Sequence, residues 1–514
     1  MTTAVGRIVV LGGGSAGWLT AATLAAELGG IGPDAMQITL IESPDVPAIG
    51  VGEGTWPTMR ATLHRIGLSE VDLIRECDAA FKQGSRFDGW LHGGAGDRYH
   101  HPFTQPQGFN DGDIGSLWTH AGEGRDFGDC VSPQPQLCDA NLAPKVTTSP
   151  NFAGVMNYAY HFDAVKLGQL VQRRATGVLG VRHVVDHFTA VRSHENGDIA
   201  ALTTRAHGDI EGDLFIDCSG LHSLLLGKHY GVAFRSEKGV LFNDSALATQ
   251  VPHANAHDPV ASATVSTAHA EGWTWDIGLP TRRGIGLVYS SSHTGDDAAD
   301  SALRRYLERC GLADSEPRRI RFTPGYRERF WHRNCVAVGL AAGFIEPLEA
   351  SALALVELSA AFIRDEMPAD RAQMEIVARR FNDTFGYRWR RIIEFLKLHY
   401  VLSRRDDCDY WREHRTAASQ PDSLRELLQL WTHRAPSRND FSRIEEVFPA
   451  ASYQYILYGM QFQPAGRPLR AERLAAARNA MKDVATTTRR LLGALPRHRA
   501  LIQHIREHGI APAA

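Results

Sequence analysis

Arg7-Ile-Val-Val-Leu11 runs directly into Gly12-Gly-Gly14-Ser-Ala16-Gly17, then into the Ala/Leu-rich run Trp18 to Leu28, and Gln37-Ile-Thr-Leu-Ile41-Glu42 follows after Gly29-Gly30. A short β-branched run, a glycine turn and an alanine-rich segment predict strand, turn and helix, and the second apolar run closes a βαβ unit. In G-x-G-x-x-G at that junction the three glycines serve different physical ends, namely a tight turn, close approach of backbone to a pyrophosphate, and close packing of helix on strand. The helix N-terminus then faces the anion. Glu42 falls at the end of the second strand, where an acid meets a ribose hydroxyl. The stretch has one competing reading. Ile8 to Ala26 carries no charge and follows Arg7, as in a secretory signal or membrane span, but three consecutive glycines stand where a signal's apolar core is helical.

Working outward, 514 residues suggest two or three domain-sized units, and 43% hydrophobic with 22% charged residues is ordinary globular composition. With 55 Lys+Arg against 58 Asp+Glu there is no basic footprint, so neither nucleic acid nor an anionic membrane is an expected partner. Seven cysteines without a C-x-x-C pair suit a reduced, cytoplasmic protein and argue against a disulfide frame or a metal site. No second dinucleotide fingerprint appears. Gly93-Gly-Ala-Gly96 lacks a preceding strand and reads as a loop, whereas Asp213-Leu-Phe-Ile-Asp217-Cys-Ser-Gly220 reads as a strand entering a turn. Beyond Leu348 the pattern is mostly helical, with amphipathic segments such as Ser423 to Leu430 and Ala471 to Leu495. Val336 to Phe362 reads as a buried helix and its approach strand.

Three stretches have residue types that carry chemistry. Ile49-Gly-Val51-Gly-Glu53-Gly-Thr-Trp-Pro57 is a glycine-rich backbone that either crosses a flat cofactor or forms a plain surface loop. Ser69-Glu-Val-Asp72 caps a helix expected to run to about Lys82 with Gly84 as its stop, which puts Lys82 against the helix C-terminal dipole. In Glu346-Pro347-Leu-Glu349-Ala-Ser351-Ala352, Pro347 suits a first helical turn, and the free N–H groups near Ser351 and Ala352 can attract an anion.

Taken together these marks resemble a flavin-dependent halogenase of the tryptophan halogenase family. They are the fingerprint, the Val-Gly-Glu-Gly-Thr-Trp-Pro strap, Phe81-Lys82, His101-Pro-Phe103, Tyr158-Ala-Tyr-His-Phe-Asp163, Gly272-Trp-Thr-Trp275 and Glu346-Pro-Leu-Glu349. The resemblance implies an α/β fold: an FAD-binding, Rossmann-like domain of the two-part flavoprotein monooxygenase type over 1–350. β-rich substrate segments interleave with it at about 80–170 and 235–320, and a mostly helical substrate-covering region spans 351–514. It makes Lys82 the essential lysine and Glu349 its acidic partner. Gly12, Gly14, Ala16, Gly17, Glu42, Leu340 and Leu353 match flavin contacts, with Val51 and Glu53 in the strap over the flavin. Ser351 and Ala352 match the halide site, His101 and Phe103 the pair that sandwiches an indole, and Trp273 and Trp275 a wall between flavin and substrate.

The implied reaction uses FADH2, O2 and bromide or chloride to make hypohalous acid, which Lys82 holds or converts to a haloamine, with a separate NAD(P)H-dependent flavin reductase as partner. The substrate is a small aromatic, and a homodimer is allowed. An aromatic hydroxylase and a non-catalytic FAD-binding sensor are the alternatives. Two departures stand out. Gly278-Leu279 separates Ile277 from Pro280 where the family has Ile-Pro, which bears on the exit from the wall. Ala352 stands where the family has glycine, which removes access to positive φ and bears on halide choice. The segments Phe448 to Tyr455 and Tyr458 to Phe462 do not reproduce a polar clamp for an amino-acid backbone, so a smaller indole is expected.

Overall fold

The computed structural model describes residues 4–29, 35–46, 52–109, 114–313, 315–465 and 470–510. The chain forms two compact units, each assembled from three stretches: 1–78, 162–237 and 323–389 in the first, and 79–161, 238–322 and 390–514 in the second. The expected boundary at 350/351 does not separate these units, because the helix Ser351–Asp365 belongs to the first. The stretches 79–161 and 238–322 fall near the expected substrate segments and share the second unit with the C-terminal residues.

In the first unit, strand β1 (Arg7–Leu11), helix α1 (Ser15–Leu28) and strand β2 (Gln37–Glu42) form the anticipated βαβ start. The stretch Ile8 to Ala26 is therefore strand, turn and helix. A six-stranded sheet runs in the order Trp331–His332, Cys335–Ala337, Leu214–Asp217, β1, β2, Arg182–Val185. All neighbours are parallel except the edge pair Trp331–His332 with Cys335–Ala337. Flanked on both edges, β1 buries Ile8, Val9, Val10 and Leu11, which is why it reads as an unbroken apolar run rather than an alternating one. Helix α1 packs against the helices Ala164–Gly177 and Ser351–Asp365.

The second unit is built on a seven-stranded sheet in the order Arg318–Arg321, Ser245–Pro252, Arg282–Tyr289, Gly272–Gly278, Thr264–His269, Gly84–Asp88, Arg98–Pro102. Leu247, Val251, Ile285, Leu287 and Tyr289 point from it into one cluster with Ala299, Ala302, Leu303, Tyr306 and Leu307 of the helix Asp296–Arg309. The anticipated helices at the C-terminal end are present as Asp422–Trp431 and Ala471–Ala494.

Candidate active site

The glycine turn is shaped by what a side chain would strike. Gly12 has φ +118, and a Cβ there would lie 2.3 Å from the Cys218 carbonyl oxygen. At Gly17 it would lie 1.8 Å from the Gly12 carbonyl, so only glycine lets helix and strand approach this closely. Gly14 is the opposite case, with nothing within 4 Å. Helix α1 begins there with no side-chain cap and no acid in its first turn, so its N–H groups are left for an anion. A Cβ on Gly13 would meet the Glu42 side chain at 2.1 Å, while His183 Nε2 lies 2.9 Å from Glu42 Oε2. The turn and the acid thus share one corner. These residues fit a dinucleotide: open helix donors for the phosphates and a held carboxylate for a ribose.

The return to this corner is organised by Asp217, a buried residue at the end of the strand Leu214–Asp217. Its carboxylate accepts from Ser219 Oγ at 2.5 Å and from the N–H groups of Leu225 and Leu226 at 3.0 and 2.8 Å, closing the turn after the strand. Gly339 (φ +70) opens the short turn that carries Leu340, and a Cβ on it would lie 2.7 Å from Ala16 Cβ, which sets Leu340 beside the start of α1. Leu353 is buried on the helix Ser351–Asp365. Glu53, half-buried in the strand Gly52–Gly54, is pushed up to about 7 by burial. Val51 lies outside the described residues.

The segment before that helix differs from expectation. Glu349 sits in a short 3₁₀ turn, Leu348–Ala350, with φ 65, and Ala350 follows with φ 54; the α-helix starts only at Ser351. The positive φ angles therefore fall on Glu349 and Ala350. Ala352 lies inside the helix, where negative φ suits any residue, so replacing a glycine there removes no needed conformation. Glu349 is buried, and its carbonyl accepts from Trp56 Nε1 at 2.8 Å. Ser351 is buried and Ala352 exposed at a helix end without an acidic first turn or a side-chain cap.

Lys82 is not on a helix. The Ser69 capping box is present, but its helix is Glu70–Glu76, and Asp78 follows with φ 52. Lys82 ends the strand Ala80–Lys82, which pairs antiparallel with Ala159 to His161. Gly84, expected as a helix stop, is a point of close approach: a Cβ would lie 2.4 Å from the His101 carbonyl across the Gly84↔Pro102 register. The Gln83 carbonyl accepts from Phe103 N–H at 3.1 Å. By these bonds the lysine strand, His101 and Phe103 are drawn together. Lys82 is buried, with Nζ 5.5 Å from the Phe103 ring centroid. His101 is buried with ring centroids of Phe395, Tyr455 and Phe448 at 5.7, 6.1 and 6.4 Å, and Phe395 stacks on Phe448 at 3.8 Å.

Two histidines support this strand. His498 Nε2 accepts from Phe81 N–H at 2.9 Å, so its Nδ1 carries the proton and donates to the Val260 carbonyl at 3.0 Å. Burial first, with Arg499, pulls His498 down to about 4 despite the Val260 bond, so it stays neutral. His161, opposite Ala80 in the ladder, is held well below its ordinary value by burial first and then by the Lys82 charge.

Trp273 and Trp275 share one face of the wholly buried strand Gly272–Gly278, with centroids 6.4 Å apart. Trp275 lies over Gly286, its partner in the ladder, where a Cβ would be 2.1 Å from the indole; Trp273 packs on Trp90 at 6.0 Å. The departure at Gly278 is accommodated by a turn in which Leu279 N–H donates to the Arg282 carbonyl at 2.9 Å.

A sequence profile described as tryptophan halogenase matches residues 7–476. The chain belongs to the tryptophan halogenase family. The crystal structure of the tryptophan halogenase of Shewanella frigidimarina NCIMB 400 superposes with a TM-score of 0.95 at 45% identity, covering 99% of each chain. BrvH, a flavin-dependent halogenase of Brevundimonas sp. BAL3, gives 0.85 at 32% identity over 97% of this chain and 99% of that one. The 7-chloro-L-tryptophan 6-halogenase KtzR of Kutzneria sp. (strain 744) is 32% identical over 97% of this chain and 99% of its own. The family is one of flavin-dependent enzymes, and this halogenase has the α/β fold the resemblance implied. Sequence reasoning did not single out Asp217 for its turn, nor His161 or His498. Asp217 had a local signal, a carboxylate ending a strand ahead of Ser219. His498 had none, because it acts 417 residues from its partner.

Proposed function

We propose that this chain halogenates an electron-rich aromatic ring, an indole or an indole derivative without the full amino-acid backbone, by way of hypohalous acid and Lys82. The observation that carries the reading is the buried Lys82 Nζ set 5.5 Å from the Phe103 ring centroid, on a strand tied by backbone bonds to the strand of His101. Gly12, Gly14, Ala16, Gly17, Glu42, Leu340 and Leu353 would hold FAD, with the Val51–Glu53 strap across it. When bound, FADH2 with O2 supplies the oxidising equivalents that convert halide to hypohalous acid. A flavin reductase that uses NAD(P)H delivers the reduced cofactor.

The chain's own groups do the rest. The N–H groups at Ser351 and Ala352 attract the halide. His101 and Phe103 fix which ring carbon is presented. Lys82 holds the electrophile by hydrogen bonding or as a haloamine, and the Glu349 carboxylate accepts the proton lost from the ring. Trp273 and Trp275, rigid on a buried strand, keep water from the reacting ring. Preference for a smaller indole is supported by two groups of the helix Ala450–Gly459 that are turned to internal partners: Tyr455 Oη donates to the Thr104 carbonyl at 2.8 Å and Gln454 Nε2 to the Pro436 carbonyl at 2.8 Å. Bromide, less tightly hydrated and easier to oxidise than chloride, is used at least as well.

The test is product mass spectrometry with indole and tryptophan in parallel, reduced FAD, O2 and equimolar bromide and chloride. A bromine isotope pattern on indole is expected. Gain of one oxygen would make the protein a hydroxylase, no product would leave a non-catalytic flavoprotein, and preferential chlorination of tryptophan would overturn the substrate and halide readings. Rapid reduction of bound FAD by NADH or NADPH alone would remove the need for a reductase.

A further inference from the structure

We propose that Trp56 is a positioning residue for Glu349, holding one peptide plane that fixes both the carboxylate and the start of the halide helix. The inference rests on the role given to Glu349 above. Glu349 and Ala350 are consecutive residues with φ 65 and 54, a backbone conformation disfavoured for any side chain with a Cβ and kept only where the surroundings over-determine it. The Glu349 carbonyl and the Ala350 N–H belong to the same peptide unit, and both ends are held. The carbonyl accepts from Trp56 Nε1 at 2.8 Å, and the N–H donates to the Pro347 carbonyl at 3.0 Å. Relaxation of either residue to negative φ rotates this plane and breaks the Trp56 bond.

The same short segment grips the helix a second time. Thr58 Oγ1 donates to Glu357 Oε2 at 3.3 Å and Thr62 Oγ1 to Glu357 Oε1 at 2.6 Å. Residues 56 to 62 thus hold the helix Ser351–Asp365 just before its first residue and again about two turns in. With the second grip fixing where the helix lies, the Trp56 bond sets how its first turn is entered. Since Trp56 directly follows the strap residues Glu53 to Thr55, the strap and the acid are placed by one piece of chain.

The test compares Trp56→Phe with the double variant Trp56→Phe/Ala350→Gly. Glycine adopts positive φ without strain, so it lowers the cost of the conformation that the lost indole N–H no longer holds. Trp56→Phe is expected to lower kcat roughly tenfold with the substrate KM and the FAD Kd little changed, and the added glycine to recover about threefold. A residue that merely fills space is not rescued by a glycine at a position its ring does not replace. Full activity in Trp56→Phe, or no recovery in the double variant, overturns the inference. Glu349→Ala is measured alongside: if it stays active, the reading of Glu349 fails and this inference with it. If it is inactive while Trp56→Phe is fully active, only the inference fails. Should Trp56→Phe not fold, Trp56→Tyr deletes the same N–H and is read in the same way.

Discussion

The β1–α1 corner, proposed to hold the cofactor, is shaped by missing side chains, and the strand of Lys82 is held by distant partners. At the β1–α1 turn, Gly12 and Gly17 are required by contacts of 2.3 and 1.8 Å to backbone a few residues or one strand away. At Lys82, the strand is held by Ala159 to His161, by His498 and, through Gln83 and Gly84, by the strand carrying His101. Gly12 and Gly17 leave no room for a side chain, whereas Gly14 stands open. A site made of long-range bonds is robust to local change but is lost when a distant polar group goes unpaired. The two regions are thus expected to fail in different ways.

The largest effect is expected from Gly17→Ala, because the new Cβ overlaps backbone and cannot be absorbed by a rotamer change. Overpacking of this kind costs about 1–3 kcal/mol of fold stability, so the melting temperature falls and FAD affinity falls with the distorted turn. Gly14→Ala sharpens the contrast: with open space around it, the melting temperature stays and only FAD affinity falls. Fluorescence titration and thermal melts of the two variants read both quantities.

Next, the regions should respond to pH with opposite sign. Burial, opposed by Thr62 and Thr58, pushes Glu357 of the first unit up to about 8 from 4.5. The folded chain then keeps a proton that the unfolded chain releases, so stability falls as pH rises from about 4.5 to 8, by about 2–3 kcal/mol between pH 6 and 8. Glu357→Gln flattens that slope in denaturant titrations. In the second unit His498 is pulled down to about 4 from 6.5, and the unfolded chain binds the proton first. Stability there falls as pH drops from 6.5 toward 4, by about 2 kcal/mol between pH 6.5 and 5, and His161 adds to the same slope.

A smaller loss is expected from His498→Phe at neutral pH. It leaves the buried Phe81 N–H without its acceptor, a cost of about 1–2 kcal/mol, and halogenation falls with FAD affinity unchanged. The smallest is Ser69→Ala, which removes the capping box of Glu70–Glu76 for about 1 kcal/mol and leaves turnover unaltered, because Lys82 is carried by a strand. A turnover loss in Ser69→Ala as large as that in His498→Phe would erase the distinction drawn above.

What was legible in the amino-acid sequence follows the same division. The βαβ start, the acid at Glu42 and the strand entering a turn at Asp217 are specified by neighbours within a few residues, and the structure has each of them where local pattern puts it. The capping box at Ser69 is also real, but nothing local announces that the helix stops before Asp78 at positive φ and that Ala80–Lys82 becomes a strand. Its partners lie at Ala159 to His161 and at His498, beyond the reach of periodicity. Glu349 and Ala350 depart from the expected helical turn for a related reason. Left-handed backbone is announced by glycine, and here two non-glycine residues adopt it because Trp56 and Pro347 hold the plane between them.

The account turns on Lys82, and the direct measurement is halogenated product formed by Lys82→Ala beside the unaltered protein, with FAD affinity and melting temperature taken on the same samples. Loss of product by about 10²–10⁴-fold, with FAD bound as before, is the predicted result. A folded Lys82→Ala protein that keeps most of its halogenating activity would contradict the account.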